Sequence, residues 1–216
     1  MDYLSLKARQ RAERHAHPPN VALRVHRALS WYHRADQESQ DLDGRFIFLW
    51  IAFNAAYATE IDETYRLTEQ ATFREFLQKL LRLDGQARFE RLVWEEFSGS
   101  IRVLLDNPFV FHDFWGFHTG RLTEPQWKER FANANAAARQ ALARRQTDVV
   151  IGIVLSRIYT LRNQLMHGGA TWNSSVNRDQ LRDCANFLGK LVPLIIEVML
   201  DHPDTLWGDA CFPVIG

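Results

Sequence analysis

The chain has 216 residues, 46% of them hydrophobic, with 26 basic and 26 acidic residues and a formal net charge of zero. This length fits a single domain, and the apolar fraction excludes a disordered or collagen-like chain. Because the net charge is zero, bulk electrostatics cannot attract nucleic acid, and any contact with RNA must come from a local basic patch.

Cysteine content and hydropathy limit the environment in which the chain works. Two cysteines, Cys184 and Cys211, cannot build a disulfide framework or a four-ligand zinc site. The first ten residues lack the apolar core of a secretory signal, and no apolar run reaches the roughly 20 residues that cross a bilayer. We therefore expect a cytoplasmic protein with no membrane partner.

The periodicity of the sequence predicts an all-α fold. Apolar residues recur at spacings of three and four, and alternating patterns are nearly absent. We expect a helical bundle of six or seven helices, in which residues 20–216 form one domain. Residues 1–19 are polar and basic and end at two prolines, which predicts a basic N-terminal arm, either solvated or folded as a short surface helix.

The first long helix is predicted to begin at Asn20, a favourable N-cap residue. One of its faces is apolar, and the opposite face carries basic residues that include Arg24 and Arg27. The next helix, Phe46–Ala58, is apolar on every side and predicts a buried central helix, since roughly 13 residues exceed a usual strand.

Capping residues and helix breakers divide the rest of the chain. The segment Phe109–His118, after a break at Asn107-Pro108, predicts a compact aromatic loop. Pro193 predicts a kink in the last helix. The other helices are predicted between these limits: Thr72 to Asp84-Gly85, Phe89 to about Leu104, Thr123 to about Arg145, Asp148 to Gly168-Gly169, and about Asn177 to Leu200.

The most informative stretch is LRNQLMHGG, residues 161–169, at a predicted helix end. Asn163 and His167 are four residues apart and share a face, whereas Arg162 and His167 lie about 140° apart around the helix. The helix macrodipole favours a charged imidazole in the last turn, and histidine is the side chain whose charge changes near neutral pH. His167 is therefore placed as an acid–base group would be.

The three polar residues of this stretch fit metal-independent cleavage of RNA. Arg162 offers a planar fork suited to phosphate, and Asn163 could orient the imidazole or bind a ribose hydroxyl. His167 would act on the 2′-hydroxyl or the leaving oxygen while Arg162 stabilises the pentacovalent phosphate. Arginine and histidine in a last helical turn are also ordinary capping residues, and spacing alone favours that plainer interpretation.

The hexapeptide RNQLMH resembles the R-N-x-x-x-H form of the motif of HEPN domains. The segments Val21–Ala58 and Val149–Leu200 also resemble a bacterial HEPN group. HEPN proteins are helical bundles, and many are metal-independent endoribonucleases whose two motifs meet across a dimer interface, often in toxin–antitoxin or other defence systems. The resemblance implies that Arg162 and His167 are the catalytic pair and that Asn163 is the polar residue after the arginine.

Two-fold symmetry strengthens the expectation of a homodimer, because one arginine and one histidine 140° apart make a poor site and two copies bring four groups together. No cofactor is expected, and the product would be a 2′,3′-cyclic phosphate end. Some HEPN domains only bind RNA or nucleotides, so a non-catalytic module stays open as an alternative. A second alternative is a structural or interaction protein, such as one half of a toxin–antitoxin pair whose helices mainly dock a partner. A nucleotidyltransferase-like antitoxin in the neighbouring gene would instead favour the toxin.

Five further residues are weaker candidates for substrate binding. Asn54 lies in the most apolar helix, where a buried amide needs partners, and could be a core residue or could position the motif. Trp172 and Asn173 could stack on or bond a base, or cover the dimer seam. Basic residues of the N-terminal part could guide an RNA backbone, although solvated helix faces are commonly charged. They are Arg24 and Arg27, together with Lys7, Arg9, Arg11, Arg14 and Arg34.

His112, Asp113 and His118 are the residues that most suggest a metal site. Their spacing matches no familiar helix-borne pair of ligands, and their neighbours are aromatic. We interpret the two histidines as packing residues and predict no metal site.

Overall fold

A computed structural model describes residues 2–57, 66–205 and 207–208, and for residues 66–72 it describes the backbone alone. The predicted all-α fold class is confirmed, because the described residues form helices and no strand. They form ten α-helices rather than six or seven: α1 Tyr3–Glu13, α2 Pro19–Asp36, α3 Leu42–Tyr57, α4 Arg66–Leu83, α5 Arg88–Arg91, α6 Ser98–Asp106, α7 His112–His118, α8 Glu124–Ala143, α9 Thr147–Met166 and α10 Arg178–Asp201.

The described helices gather into two compact units. The first comprises residues up to Arg88 together with those from Cys184 onward, and the second comprises Phe89–Asp183. Residues 3–13 form α1 in the first unit, where Leu6 and Gln10 are buried. Of the two forms expected for the N-terminal segment, the structure therefore shows the packed helix and not the solvated arm.

The core of the first unit is built on α2 and α3, which pack against each other along most of their length. Helix α2 begins at Pro19, so Asn20 lies inside the helix and is not its cap. Proline suits this position because the first helical N–H groups have no intrahelical acceptor. The predicted apolar face of α2 is confirmed, since Val21, Val25, Leu29 and Tyr32 are buried. Helix α3 is buried on one side, through Phe46, Leu49, Trp50, Phe53 and Ala56, but Ile47, Phe48 and Ile51 are half-buried, so the prediction of a helix buried on every side is only partly correct.

The prediction that Arg24 lies on the exposed face of α2 is wrong, because this residue is only 1% exposed. Its Nη1 donates hydrogen bonds to the carbonyl oxygens of Ala56 at 3.0 Å and Tyr57 at 3.3 Å, at the end of α3. The last carbonyls of a helix lack intrahelical donors and carry the negative end of its dipole, so a guanidinium stabilises them. Ala58, the last residue of the predicted central helix, lies outside the described residues.

A buried ionic network in the first unit joins Asp84, the residue after α4, to Arg88 of α5 and to two acids of α10. The guanidinium of Arg88 contacts three carboxylates: Asp84 at 2.8 Å, Glu197 at 3.0 Å and Asp201 at 3.0 Å. The Arg88 side chain is 10% exposed and that of Glu197 is 8% exposed. Burial raises the pKa of Asp201, but hydrogen bonds from Arg9 and Arg88 together outweigh it, and the pKa lies below its ordinary value.

Helices α6, α8 and α9 form the core of the second unit. The predicted loop Phe109–His118 is wrong, because Pro108–Val110 forms a 3₁₀ turn and His112–His118 forms α7. The rings of Phe114 and Phe117 pack against Trp127 of α8, which gives this short helix tertiary support. Thr72 is not a cap either, since α4 begins six residues earlier at Arg66.

No helix among the described residues combines the length and the apolar character that a bilayer crossing requires.

Candidate functional site

The motif residues Arg162, Asn163 and His167 lie at the C-terminal end of α9 in the second unit. The apolar side of this helix is buried in the unit, with side chains that recur at helical spacing: Val150, Ile151, Val154, Leu155, Ile158 and Leu161. Arg162 and Asn163 are half-buried, and His167 is exposed. Burial of the other face therefore directs the motif toward the surface of the unit.

The predicted end of this helix at Gly168-Gly169 is confirmed. Gly168 adopts φ = +70°, and the N–H of Gly169 donates to the carbonyl of Gln164 at 2.7 Å. The N–H of His167 donates to the carbonyl of Asn163 at 3.0 Å. These bonds form a glycine-terminated helix end in which the left-handed residue directly follows the histidine.

Arg162 is held by its neighbours and not by a carboxylate. Its Nη1 donates to Oδ1 of Asn163 at 2.9 Å, and its Cζ lies 6.0 Å from the centre of the Tyr159 ring. Its Nε is buried and has no hydrogen-bond acceptor among the described residues. No described carboxylate forms an ion pair with this guanidinium, so its charge is available to an anion.

The imidazole of His167 makes no hydrogen bond to the side chain of Arg162 or Asn163 within one chain. Asn163 directs its amide oxygen at Arg162, so orientation of the imidazole by this side chain is not observed. The separation agrees with the angle of about 140° that helix geometry gives to residues five apart. One copy of the chain therefore carries a half-buried guanidinium and an exposed imidazole on the same helix end, without a closed site.

Large apolar side chains are exposed around this helix end. Tyr159 and Met166 flank the motif on α9, and Met166 is 53% exposed. In the loop that follows α9, Trp172 is 73% and Val176 is 70% exposed. We call Tyr159, Met166, Trp172 and Val176 the apolar rim. Exposed apolar groups of this size are typical of an interaction surface where they form a contiguous patch.

A second contact anchors the motif helix to the aromatic part of the unit. Nε2 of Gln164 donates to the carbonyl oxygen of Phe109 at 2.6 Å, and Nε1 of Trp115 donates to the same oxygen at 2.7 Å. Tyr159 and Gln164 are residues of the candidate site that the sequence did not predict. Tyr159 is three residues before Arg162, a spacing that places both on one helix face and could have indicated the ring contact.

The loop candidates Trp172 and Asn173 lie a few residues beyond the motif. Asn173 adopts φ = +55° and accepts a hydrogen bond from Arg178 at the start of α10. The amide oxygen of Asn173 is thus engaged within the chain, while the Trp172 ring is on the surface. A role of either residue in binding a base stays a prediction.

The remaining candidates lie in the first unit. Asn54 is half-buried on α3, and its role in positioning the motif stays a prediction. Arg27 is half-buried on α2. Arg24 is fixed on the end of α3, and its burial removes it from the surface on which an RNA backbone would lie.

Of the two histidines of α7, His118 contacts aromatic rings as predicted, whereas His112 is exposed. His118 packs against Phe114 with ring centres 4.4 Å apart and against Phe117 at 5.1 Å. Among the described residues, histidine, cysteine, aspartate and glutamate side chains do not gather in groups of three or more that could hold a metal ion. Cys184 is buried, and Cys211 lies outside the described residues.

Comparison of the chain with known protein families, with curated proteins and with solved structures finds no match in any of the three. The resemblance to HEPN domains therefore rests on the motif and on the helical segments around it, and it stays a prediction.

The helix end supports a prediction that does not depend on function. Gly168→Ala places a Cβ in the left-handed region and is expected to lower the free energy of unfolding by about 1–2 kcal/mol. Gly99→Ala on α6 is the matched control, because nothing lies within 4 Å of its added Cβ and alanine is the better helix former. Chemical denaturation of both variants measures the difference. Equal free energies of unfolding for Gly168→Ala and Gly99→Ala would contradict the left-handed conformation of Gly168.

Proposed function

We propose that this chain is a metal-independent endoribonuclease of the HEPN type that works as a homodimer. The observation that carries the proposal is the state of Arg162, a guanidinium oriented by Asn163 and Tyr159, unpaired with any described carboxylate, and set on the same helix end as an exposed imidazole. A cation oriented by neutral groups is suited to an anionic ligand such as a phosphodiester.

A dimer accounts for the separation of Arg162 from His167 within one chain. Two helix ends related by a two-fold axis would place two guanidinium groups and two imidazoles around one cleft. The apolar rim supplies surface that such an interface would bury. The proposed site is therefore shared between the two copies.

The reaction needs one base, one acid and one stabilising cation. One His167 accepts the proton of the 2′-hydroxyl, and the 2′-oxygen attacks phosphorus. The bond from phosphorus to the 5′-oxygen breaks, and the second His167 donates a proton to that oxygen. Arg162 stabilises the charge on the pentacovalent phosphate. The products are a 2′,3′-cyclic phosphate and a 5′-hydroxyl end.

Incubation of the protein with single-stranded RNA in excess EDTA tests this chemistry. We expect cleavage, with fragments that end in a 2′,3′-cyclic phosphate, because no step uses a divalent cation. An otherwise identical strand with a 2′-deoxy sugar at the cleaved position is the control and should stay intact. Activity that disappears with EDTA, or cleavage of the 2′-deoxy strand, would contradict the mechanism.

A non-catalytic module that binds RNA or a nucleotide is the second candidate. The observation that favours it is the imidazole of His167, which no described side chain orients within the chain. This function predicts tight binding without cleavage at any protein concentration, and affinity that His167→Ala leaves nearly unchanged. In a toxin–antitoxin setting, a nucleotidyltransferase-like antitoxin encoded by the neighbouring gene would favour the nuclease.

A further inference from the structure

A second charged surface lies on the first unit, where α1 packs on α2. Lys7 and His26 come from different helices, and their Nζ and Nδ1 atoms are 3.3 Å apart. Arg14 Nε lies 3.4 Å from Nε2 of His15. We call this surface the basic cluster, and it comprises Lys7, Arg11, Arg14, His15, His26 and Arg27.

Carboxylates do not neutralise the part of the cluster on α1. Lys7 donates to the amide oxygen of Gln10, and neither Lys7, Arg11 nor Arg14 forms an ion pair with a described carboxylate. Glu13, the nearest acid on α1, is held by Arg9 at 2.9 Å. Lys7, Arg11 and Arg14 are therefore a local excess of positive charge on a chain whose net charge is zero.

Burial and neighbouring cations both lower the pKa values of Lys7 and His26. Burial lowers the pKa of Lys7, and Arg11 and Arg14 lower it further. Burial likewise lowers the pKa of His26, followed by the charges of Lys7, Arg14 and Arg27. Like charges crowded in this way raise the local potential, and a bound anion would relieve the repulsion.

The structure also distinguishes the cluster from the other basic residues that the sequence suggested for RNA. Arg9 is bound to Glu13 and Asp201, and Arg34 is bound to Glu38. Arg24 is buried against the end of α3. These three are used within the fold, whereas Arg11 and Arg14 are exposed.

We propose that the basic cluster binds the phosphate backbone of single-stranded RNA. Lys7, Arg11 and Arg14 follow one another at helical spacing and extend over about 10 Å of α1. That length exceeds one phosphate group and suits successive phosphates of a strand, which arginine and lysine contact without reading the bases. RNA is chosen among polyanions because the inference rests on the proposed function.

The test compares two triple variants that lose the same charge. Lys7→Gln, Arg11→Gln and Arg14→Gln together remove the cluster on α1. The control combines Arg74→Gln, Arg82→Gln and Arg102→Gln, three exposed residues outside the cluster. Binding of a 2′-O-methyl RNA strand is measured by fluorescence anisotropy over a range of salt concentrations. This strand cannot form the cyclic phosphate, so binding is measured independently of cleavage.

We expect the affinity of the cluster variant for RNA to fall by about tenfold or more near 50 mM salt. The slope of log affinity against log salt should become smaller in magnitude by about 2. The control should bind like the unchanged protein. An equal loss of affinity in both triple variants, or an unchanged salt slope, would overturn the proposal. The proposal would also be overturned if a polyglutamate competitor displaced the bound RNA to the same extent as a second RNA strand.

Arg14→Gln alone is the second variant, because it lies at the exposed end of α1 and should leave the fold intact. It should reduce the salt slope by about 0.7, the effect of one phosphate contact on a single strand. A slope equal to that of the unchanged protein would contradict the contact. If the protein binds RNA through the basic cluster but does not cleave it, the proposed nuclease function is rejected and the proposed RNA-binding surface is retained.

Discussion

Replacement of His167 by alanine is expected to reduce RNA cleavage by at least about 10² to 10⁴-fold, the range that a general acid or base contributes. The loss could exceed this range because both proposed proton transfers use the same residue. His167 is exposed and makes no side-chain hydrogen bond to a described residue, so the free energy of unfolding should change by no more than about 0.5 kcal/mol. Single-turnover cleavage rates and thermal melting measure the two effects.

His112→Ala is the matched control, because His112 is another exposed histidine of the second unit. It should cleave RNA at the rate of the unchanged protein. Cleavage that survives His167→Ala, or that falls equally in both variants, would reject His167 as the acid–base group.

Mixing two inactive variants distinguishes a shared site from two separate ones. Arg162→Ala and His167→Ala should each be inactive alone, but a dimer with one copy of each retains one guanidinium and one imidazole. We expect such mixed dimers, which can be purified with two different affinity tags, to cleave RNA faster than either variant alone and slower than the unchanged protein, because the guanidinium and only one of the two proton-transfer groups are kept. Mixed dimers that are no more active than the single variants would contradict a site shared between the two copies.

Arg88→Met is expected to lower the free energy of unfolding by about 3–5 kcal/mol, as removal of one partner from a buried ionic network does. The guanidinium contacts Asp84, Glu197 and Asp201, and the Asp84 and Glu197 side chains are almost completely buried. Methionine keeps the apolar packing but leaves these acids without this cation. Urea denaturation with Arg82→Met as an exposed control measures the effect, and a loss below about 1 kcal/mol would contradict it.

The same network predicts how stability depends on pH. The folded chain holds the pKa of Asp201 below its unfolded value, so the unfolded state binds more protons in acid. This contribution is complete above the unfolded pKa of about 3.9 and is lost as the pH falls through the folded value. Arg88→Met should therefore show a shallower loss of stability in acid than the unchanged protein does.

The sequence predicted the features that depend on local patterns. Apolar periodicity identified the buried face of α2, and Gly168 marked the end of α9, because each signal lies within one helix. The continuous apolar run of α3 predicted the helix but not which of its sides is buried. The sequence could not place Arg24, whose burial depends on where the last carbonyls of α3 come to lie. It also missed α7, a seven-residue helix supported by aromatic packing against α8.

At the candidate site, the sequence identified the residues but not their contacts. Arg162 and Asn163 are adjacent, and adjacent helical residues point in different directions, so spacing rules did not predict their hydrogen bond. A long, flexible guanidinium can bend back to its neighbour, which only side-chain geometry reveals. The division into two compact units likewise depends on tertiary packing.

The carbonyl of Phe109 accepts hydrogen bonds from both Gln164 and Trp115, so both of its lone pairs are occupied. Helix ends ordinarily fray, but the last turn of α9 cannot unwind without breaking a bond to another element. Folding itself therefore orders the backbone that carries Arg162 and His167. A ligand that arrives at this turn meets a preorganised surface and loses less entropy on binding than it would at a fluctuating helix end.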